Sequence, residues 1–204
     1  MNPGTFGRGL LFGFTIAAAV GPIALLCIRR TLAGGRLVGL ASGLGVATAD
    51  AFYGGIAAFG VTAISEVLIG ERRLLALAGG AALVVLGVRT LRSRPATVPV
   101  AADGRGLLAA YTSILGLTLT NPMTILSFAG LVAGLGLVGE GGSGATVLVS
   151  GVFAGSALWW VLLVSAVSLL RARIPLDALR WLNVGSGLVI GVFGLVAIAS
   201  GLLG

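Results

Sequence analysis

Six long, nearly uncharged apolar stretches constrain this chain more than any other feature, and two of them contain a proline where a membrane-spanning helix would be. The stretches run over residues 9–28, 37–65, 74–88, 106–139, 141–170 and 181–204. A helix needs about 20 apolar residues to cross a bilayer; the third stretch reaches that length by extending toward Arg92, whose side chain can snorkel to the interface. The runs are continuous instead of alternating, which selects helices over a β-barrel. With 57% hydrophobic and 9% charged residues, against about 25% charged in soluble domains, the chain is expected to be an all-α, multi-pass integral membrane protein of six transmembrane helices.

The interruptions are Val20-Gly21-Pro22 in the first stretch and Thr120-Asn121-Pro122 in the fourth. Proline removes a backbone hydrogen bond, and in lipid the freed carbonyl needs a partner inside the protein. The fourth stretch would measure roughly 50 Å as one helix, more than the ~30 Å hydrocarbon core, so it must leave the core, tilt or break. Helices 1 and 4 are therefore expected to break at Gly21-Pro22 and Asn121-Pro122, freeing the carbonyls of Ala18 and Thr118. Paired breaks in corresponding positions of two halves mark the binding site of a transporter.

The halves do correspond. Gly21-Pro22-Ile23 aligns with Asn121-Pro122-Met123, Ser42-Gly43 with Ser150-Gly151, and Gly80 and Gly87 with Gly187 and Gly194, in the same order. The polar, proline-containing segment 93–106 separates them as a cytoplasmic linker, giving one three-helix repeat over 1–92 and another over 107–204. Three helices is an odd number, so the repeats are expected to be inverted.

The net charge of +7 comes from thirteen arginines and no lysine. These lie between apolar runs, as in cytoplasmic loops, so no nucleic-acid partner is expected. Arg29, Arg30, Arg36, Arg89, Arg92, Arg94, Arg105, Arg171, Arg173 and Arg180 fall on one side, and Arg8, Arg72 and Arg73 on the other. That bias places both termini outside, in the periplasm of a bacterial inner membrane. The N-terminal run has features of a signal peptide but is too long, and reads as a retained first helix.

One carboxylate lies deep in a span. Asp50 sits roughly 20 Å along a helix counted from Leu37, and an intramembrane acid faces a cavity or a partner. It reads as a proton-accepting site or a counter-charge for an ammonium group; the alternative is a structural hydrogen bond to a hydroxyl or a broken-helix amide. Freed helix amides attract carboxylates and freed carbonyls attract ammonium groups, so a zwitterionic amino acid matches both poles. Gly21, Pro22, Asp50, Asn121, Pro122, Tyr53 and Thr124 are the candidate binding residues, with Thr15, Thr120 and Asn183 as further polar groups.

The single cysteine, Cys27, and the lack of histidine exclude disulfides and His-based metal sites. Gly134 to Gly139 matches a dinucleotide-binding pattern but ends a membrane span instead of following a strand, so no cofactor is expected. No enzymatic motif is present. Small residues recur four apart at Gly9/Gly13, Gly35/Gly39, Gly39/Gly43, Gly130/Gly134, Gly151/Gly155 and Gly187/Gly191. They suit close helix packing within the bundle, or a homo-oligomer interface. Trp159, Trp160 and Trp181 read as packing or interfacial anchors.

Three stretches, GFTIAAAVGPIALLCIRRTLAGGRLVGLASGLGVATADAFYG, LAGGAALVVLGVRTLRSR and LGLTLTNPMTILSFAGL, resemble the lysine exporter (LysE) superfamily, especially its homoserine/threonine exporter (RhtB) branch. The resemblance implies six spans in two inverted repeats and export of amino acids by antiport with an ion, most simply the proton. It maps onto Gly21, Pro22, Asp50, Asn121 and Pro122. Where members commonly carry Pro-Gly-Pro, this chain has Val20-Gly21-Pro22. Superfamily relatives that export divalent cations supply an alternative, and a non-transporting membrane scaffold supplies another. Hard cations want about six oxygen ligands and softer ones Cys or His, and this chain is poor in both.

Overall fold

The computed structural model describes residues 3–19, 21–59, 71–92, 104–121, 124, 128, 142–171 and 176–203. The described residues are helical, with no strand among them. Among the described residues seven helices follow in order: α1 (Pro3–Ala18), α2 (Pro22–Gly34), α3 (Arg36–Ala58), α4 (Arg72–Arg92), α5 (Gly104–Leu119), α6 (Ser143–Arg171) and α7 (Leu176–Leu203). Helices α3, α4, α6 and α7 each contain a segment long and apolar enough to cross a membrane, and α1 with α2 makes a fifth candidate bent by 79°. The remaining expected span, the fourth, is described as far as Asn121, together with residues 124 and 128.

The first break lies where proline requires it. Helix α1 ends at Ala18, and Pro22 opens α2 at a position where its missing N–H costs nothing. Gly21 adopts an extended conformation, φ −140° and ψ −172°. A β-carbon there would meet nothing within 4 Å, so neither conformation nor crowding demands glycine. Gly35 differs: at φ 86° it ends α2, donates its N–H to the Thr31 carbonyl at 3.0 Å and starts α3 one residue later. This left-handed φ favours glycine over any residue with a β-carbon.

Glycine lets the helices approach to backbone contact. Helix α1 packs mainly on α6, and α4 on α7. A β-carbon on Gly13 would overlap the Val152 carbonyl, and one on Gly155 the Leu10 carbonyl. On the other pair, a β-carbon on Gly80 would lie 2.7 Å from the Gly194 oxygen, and one on Gly87 would lie 2.8 Å from the Gly187 oxygen. Several small-residue repeats of the sequence are thus occupied within one chain. The remaining large contacts are α3 with α6 and α3 with α5.

Direction follows from which residues meet. Gly9 faces Leu148 and Gly13 faces Val152, so α1 and α6 run parallel. Gly45 faces Tyr111 and Ile114, while Tyr53 reaches Leu119, so α3 and α5 are also parallel. Gly39 faces Val164 and Gly43 faces Trp160, and higher up α3 Gly54 faces Val152, so α3 and α6 are antiparallel. The Gly80–Gly194 and Gly87–Gly187 contacts make α4 and α7 antiparallel too.

All seven helices contribute to one apolar cluster, including Ala17, Leu26, Val46, Leu83, Ile114, Trp160 and Ile190. Cys27 is fully buried in it, as a small packed side chain. The outward faces stay apolar: Leu169 and Leu195 are exposed, as is Trp181 near the start of α7, where an indole can anchor at the membrane interface. Buried helix faces and exposed apolar ones together mark a multi-pass membrane protein.

Candidate functional site

The first break, the middle of α3 and the end of α5 meet around a cavity of about 200 Å³. Its wall carries Gly21, Pro22, Ile23 and Ala24 from the start of α2, Val46 and Asp50 from α3, and Thr118, Asn121 and Thr124 at and beyond the end of α5. Trp160 of α6 and Phe193 of α7 complete the polar and aromatic part. The volume is below the ~300–1,000 Å³ typical of drug-sized ligands and suits a small solute.

Five of the seven sequence-selected residues, Gly21, Pro22, Asp50, Asn121 and Thr124, line this one cavity. Tyr53 is placed elsewhere. It is buried, its hydroxyl donates to the Leu119 carbonyl at 2.5 Å, and its ring lies 5.6 Å from that of Phe128. Pro122 lies outside the described residues, as does the side chain of Asn183. The remaining polar candidates bond within their own helices, Thr15 to the Leu11 carbonyl and Thr120 to the Gly116 carbonyl.

Asp50 is 1% exposed, and the Ser156 hydroxyl donates to its Oδ2 at 2.7 Å. Ser156 comes from α6, so this bond joins the middle of α3 to the α6 helix packed against it. Asp50 therefore has the expected hydroxyl partner and also lines the cavity.

The two helix ends bring opposite partial charges to the cavity. Helix α2 starts without a side-chain cap, and its first-turn residues Ile23 and Ala24 are on the wall. The opening amides of a helix have no intrahelical acceptor and carry partial positive charge. At the other side α5 ends with partial negative charge. Its terminal carbonyls are only partly free. Thr118 accepts the Asn121 N–H at 3.2 Å, so it is not left open as the sequence suggested, and Leu119 accepts Tyr53.

The sequence reading missed Ser156, named Thr118 only for its carbonyl, read Trp160 as a packing or interfacial anchor, and assigned Arg30 to a loop. Arg30 lies inside α2. Its Nη1 donates to the Ser42 hydroxyl at 3.2 Å and the Ala110 carbonyl at 2.8 Å, and its Nη2 to the Ser113 hydroxyl at 2.8 Å. It therefore ties α2 to α3 and α5. No local signal announced this: the chain has no serine before Ser42, and the acceptors an arginine near lipid needs come from other helices, α3 and α5.

Comparison with known proteins agrees with this architecture. Residues 14–201 match the LysE type translocator family. The chain is also 31% identical over 182 residues to the uncharacterized membrane protein YahN of Escherichia coli (strain K12), covering 85% of this chain and 80% of that one. No solved structure matches it. By that match over most of its length, and with a multi-pass helical body, the chain belongs to the LysE type translocator family of membrane efflux transporters.

Proposed function

We propose that this protein exports amino acids, or related small zwitterionic solutes, across the bacterial inner membrane in exchange for protons, by alternating access. The observation that carries the reading is the joint presence of Asp50, the uncapped start of α2 and the end of α5 around one small cavity. The α2 amides match a carboxylate, and Asp50 with the α5 end matches an ammonium group. Asp50 would hold the substrate ammonium or a proton in alternation, which makes exchange the natural cycle.

Two inverted three-helix repeats fit the packing. A two-fold axis in the membrane plane exchanges α1 with α5 and α6 with α3, so it requires the α1–α6 and α3–α5 pairs to run alike, as both do in parallel. It also requires the self-related pairs α3–α6 and α4–α7 to be antiparallel. The Gly80–Gly194 and Gly87–Gly187 contacts are the exchange images of one another under the sequence correspondence. Alternating access is then rocking of one group of helices against another around the site. Both termini lie on the periplasmic side in this reading, with the arginine-rich ends inside.

Divalent-cation export fits less well, because a hard cation wants about six oxygen ligands and Asp50 is the carboxylate that the described wall supplies. A scaffold would not need the cavity. The test is counter-transport in proteoliposomes loaded with single amino acids, with and without an imposed pH gradient. The wild type is expected to release substrate faster with the gradient. Asp50→Asn should cut that release about thirtyfold or more, on the 2–5 kcal/mol scale of a lost buried charge partner. An Asp50→Asn protein with unchanged, gradient-dependent efflux would remove Asp50 from the cycle.

A further inference from the structure

We infer that Trp160 is a substrate-binding residue whose indole N–H donates to the carboxylate of the transported solute. The inference rests on the proposed zwitterion exporter and adds a side-chain ligand to it.

Trp160 is 3% exposed and forms part of the cavity wall. Its Nε1 is buried and has no hydrogen-bond partner among the described residues. An indole N–H can only donate, and buried donors in folded proteins are nearly always satisfied. An unsatisfied buried donor in a side chain that lines the cavity points to an acceptor that arrives with the ligand as the wall adjusts around it. The ring is held firmly for that task. Its inner edge packs on Gly43, where an added β-carbon would come within 2.5 Å of the Trp160 Cβ and 3.0 Å of its Cγ.

The neighbourhood says which end of a zwitterion Trp160 meets. It shares one apolar cluster with Ile23 and Ala24, the first-turn residues of α2, whose opening amides are donors as well. Ser156, one helical turn earlier on α6, is committed to Asp50. Two kinds of donor, backbone amide and indole, thus belong to the same cavity wall as Asp50, whose carboxylate is bonded one helical turn before Trp160 on α6. A carboxylate offers enough lone pairs to accept from both. Solutes lacking a free carboxylate, such as amino-acid amides and esters, would leave these donors empty.

Trp159 provides the internal control. Its Nε1 is likewise buried without a partner, but its ring stacks edge-on against Phe14 at 5.4 Å and is not on the cavity wall. The experiment measures proteoliposome efflux of L-amino acids by the wild type, Trp160→Phe and Trp159→Phe. Trp160→Phe keeps an aromatic ring and removes the donor. Its apparent KM is expected to rise about tenfold or more, the scale of a hydrogen bond to a charged group, with Trp159→Phe like the wild type. Amino-acid amides should compete weakly against wild-type efflux and equally weakly against Trp160→Phe.

A second measurement leaves Trp160 in place. In a Trp159→Phe/Trp181→Phe protein the remaining indole is Trp160, and adding the transported amino acid should shift its emission. An unchanged KM in Trp160→Phe, or unchanged emission on substrate addition, would overturn the assignment. A wild type that moves no amino acid would instead overturn the exporter reading beneath it.

Discussion

The α1–α6 and α4–α7 contacts are made by backbone against backbone, whereas the contacts around Asp50 are made by side chains reaching for one another. In the first kind, Gly9, Gly13, Gly151 and Gly155 on one seam, and Gly80, Gly87, Gly187 and Gly194 on the other, leave no room for a single methyl. In the second, Ser156, Tyr53 and Arg30 each cross to another helix through hydrogen bonds. Lipid supplies little hydrophobic drive between helices, so close packing carries the association. Glycine seams have one fit and should move as units. Hydrogen bonds can be exchanged for others, so the polar region around the cavity is where a transporter can change partners at low cost.

The strongest way to break this contrast is to overfill a glycine seam. In Gly13→Leu the first added carbon would already overlap the Val152 carbonyl, and backbone on both sides cannot yield as a side chain would. A loss of about 3 kcal/mol or more, the upper end of overpacking costs, is expected, read as lost monodisperse yield and a lower melting temperature in detergent. Gly191→Ala, where a β-carbon would meet nothing within 4 Å, should melt like the wild type. If both variants behave alike, the α1–α6 seam is not a backbone contact.

Arg30→Gln probes the polar region with a smaller expected effect. It removes charge-assisted bonds to Ser42, Ser113 and the Ala110 carbonyl, each of the class worth about 1.5–3 kcal/mol. Some of that returns through the Gln amide, so a net loss of about 2 kcal/mol in stability is expected. Efflux should fall less than in Asp50→Asn, because Arg30 is not on the cavity wall. A larger loss of transport than of stability would make Arg30 part of the transport cycle and not only a tie between helices.

What could be read in advance divides along the same line. Apolar runs and prolines announce themselves locally, so the positions of α3, α4, α6 and α7 and the break before Pro22 were legible. Asp50 was legible too, because a lone acid in an apolar run has few places to go. The partners were not. Ser156 and Trp160 lie in a helix whose residues are apolar on every side, so periodicity gives no rotational register. Arg30 was placed in a loop because charges between apolar runs normally lie outside the membrane. The 79° bend swings α2 across the bundle and brings that charge to Ser42 and Ser113, which no local pattern encodes. Asn121 illustrates the middle case: its motif marked where α5 ends, and only the packing of α3 on α5 brought it to the cavity that Gly21 and Asp50 share.

Tyr53 offers the finest test of where the two regions meet. By residue type and spacing it belongs with Asp50, one turn along α3, yet its hydroxyl donates to the Leu119 carbonyl at 2.5 Å. That carbonyl lies at the end of α5, where the helix no longer supplies a donor. The bond therefore holds the end of α5 against α3. Tyr53→Phe keeps the ring beside Phe128 and removes this bond, at an expected cost of about 0.5–1.5 kcal/mol. If Tyr53 only positions the α5 end, the apparent KM for the transported amino acid should stay within about threefold of the wild type, a change of less than ~1 kcal/mol. The maximal rate should change more than KM, since the α5 end must hold its place through each cycle. A tenfold rise in KM with wild-type stability would instead put the hydroxyl on the substrate, and the wall of the cavity would have to extend one turn further along α3.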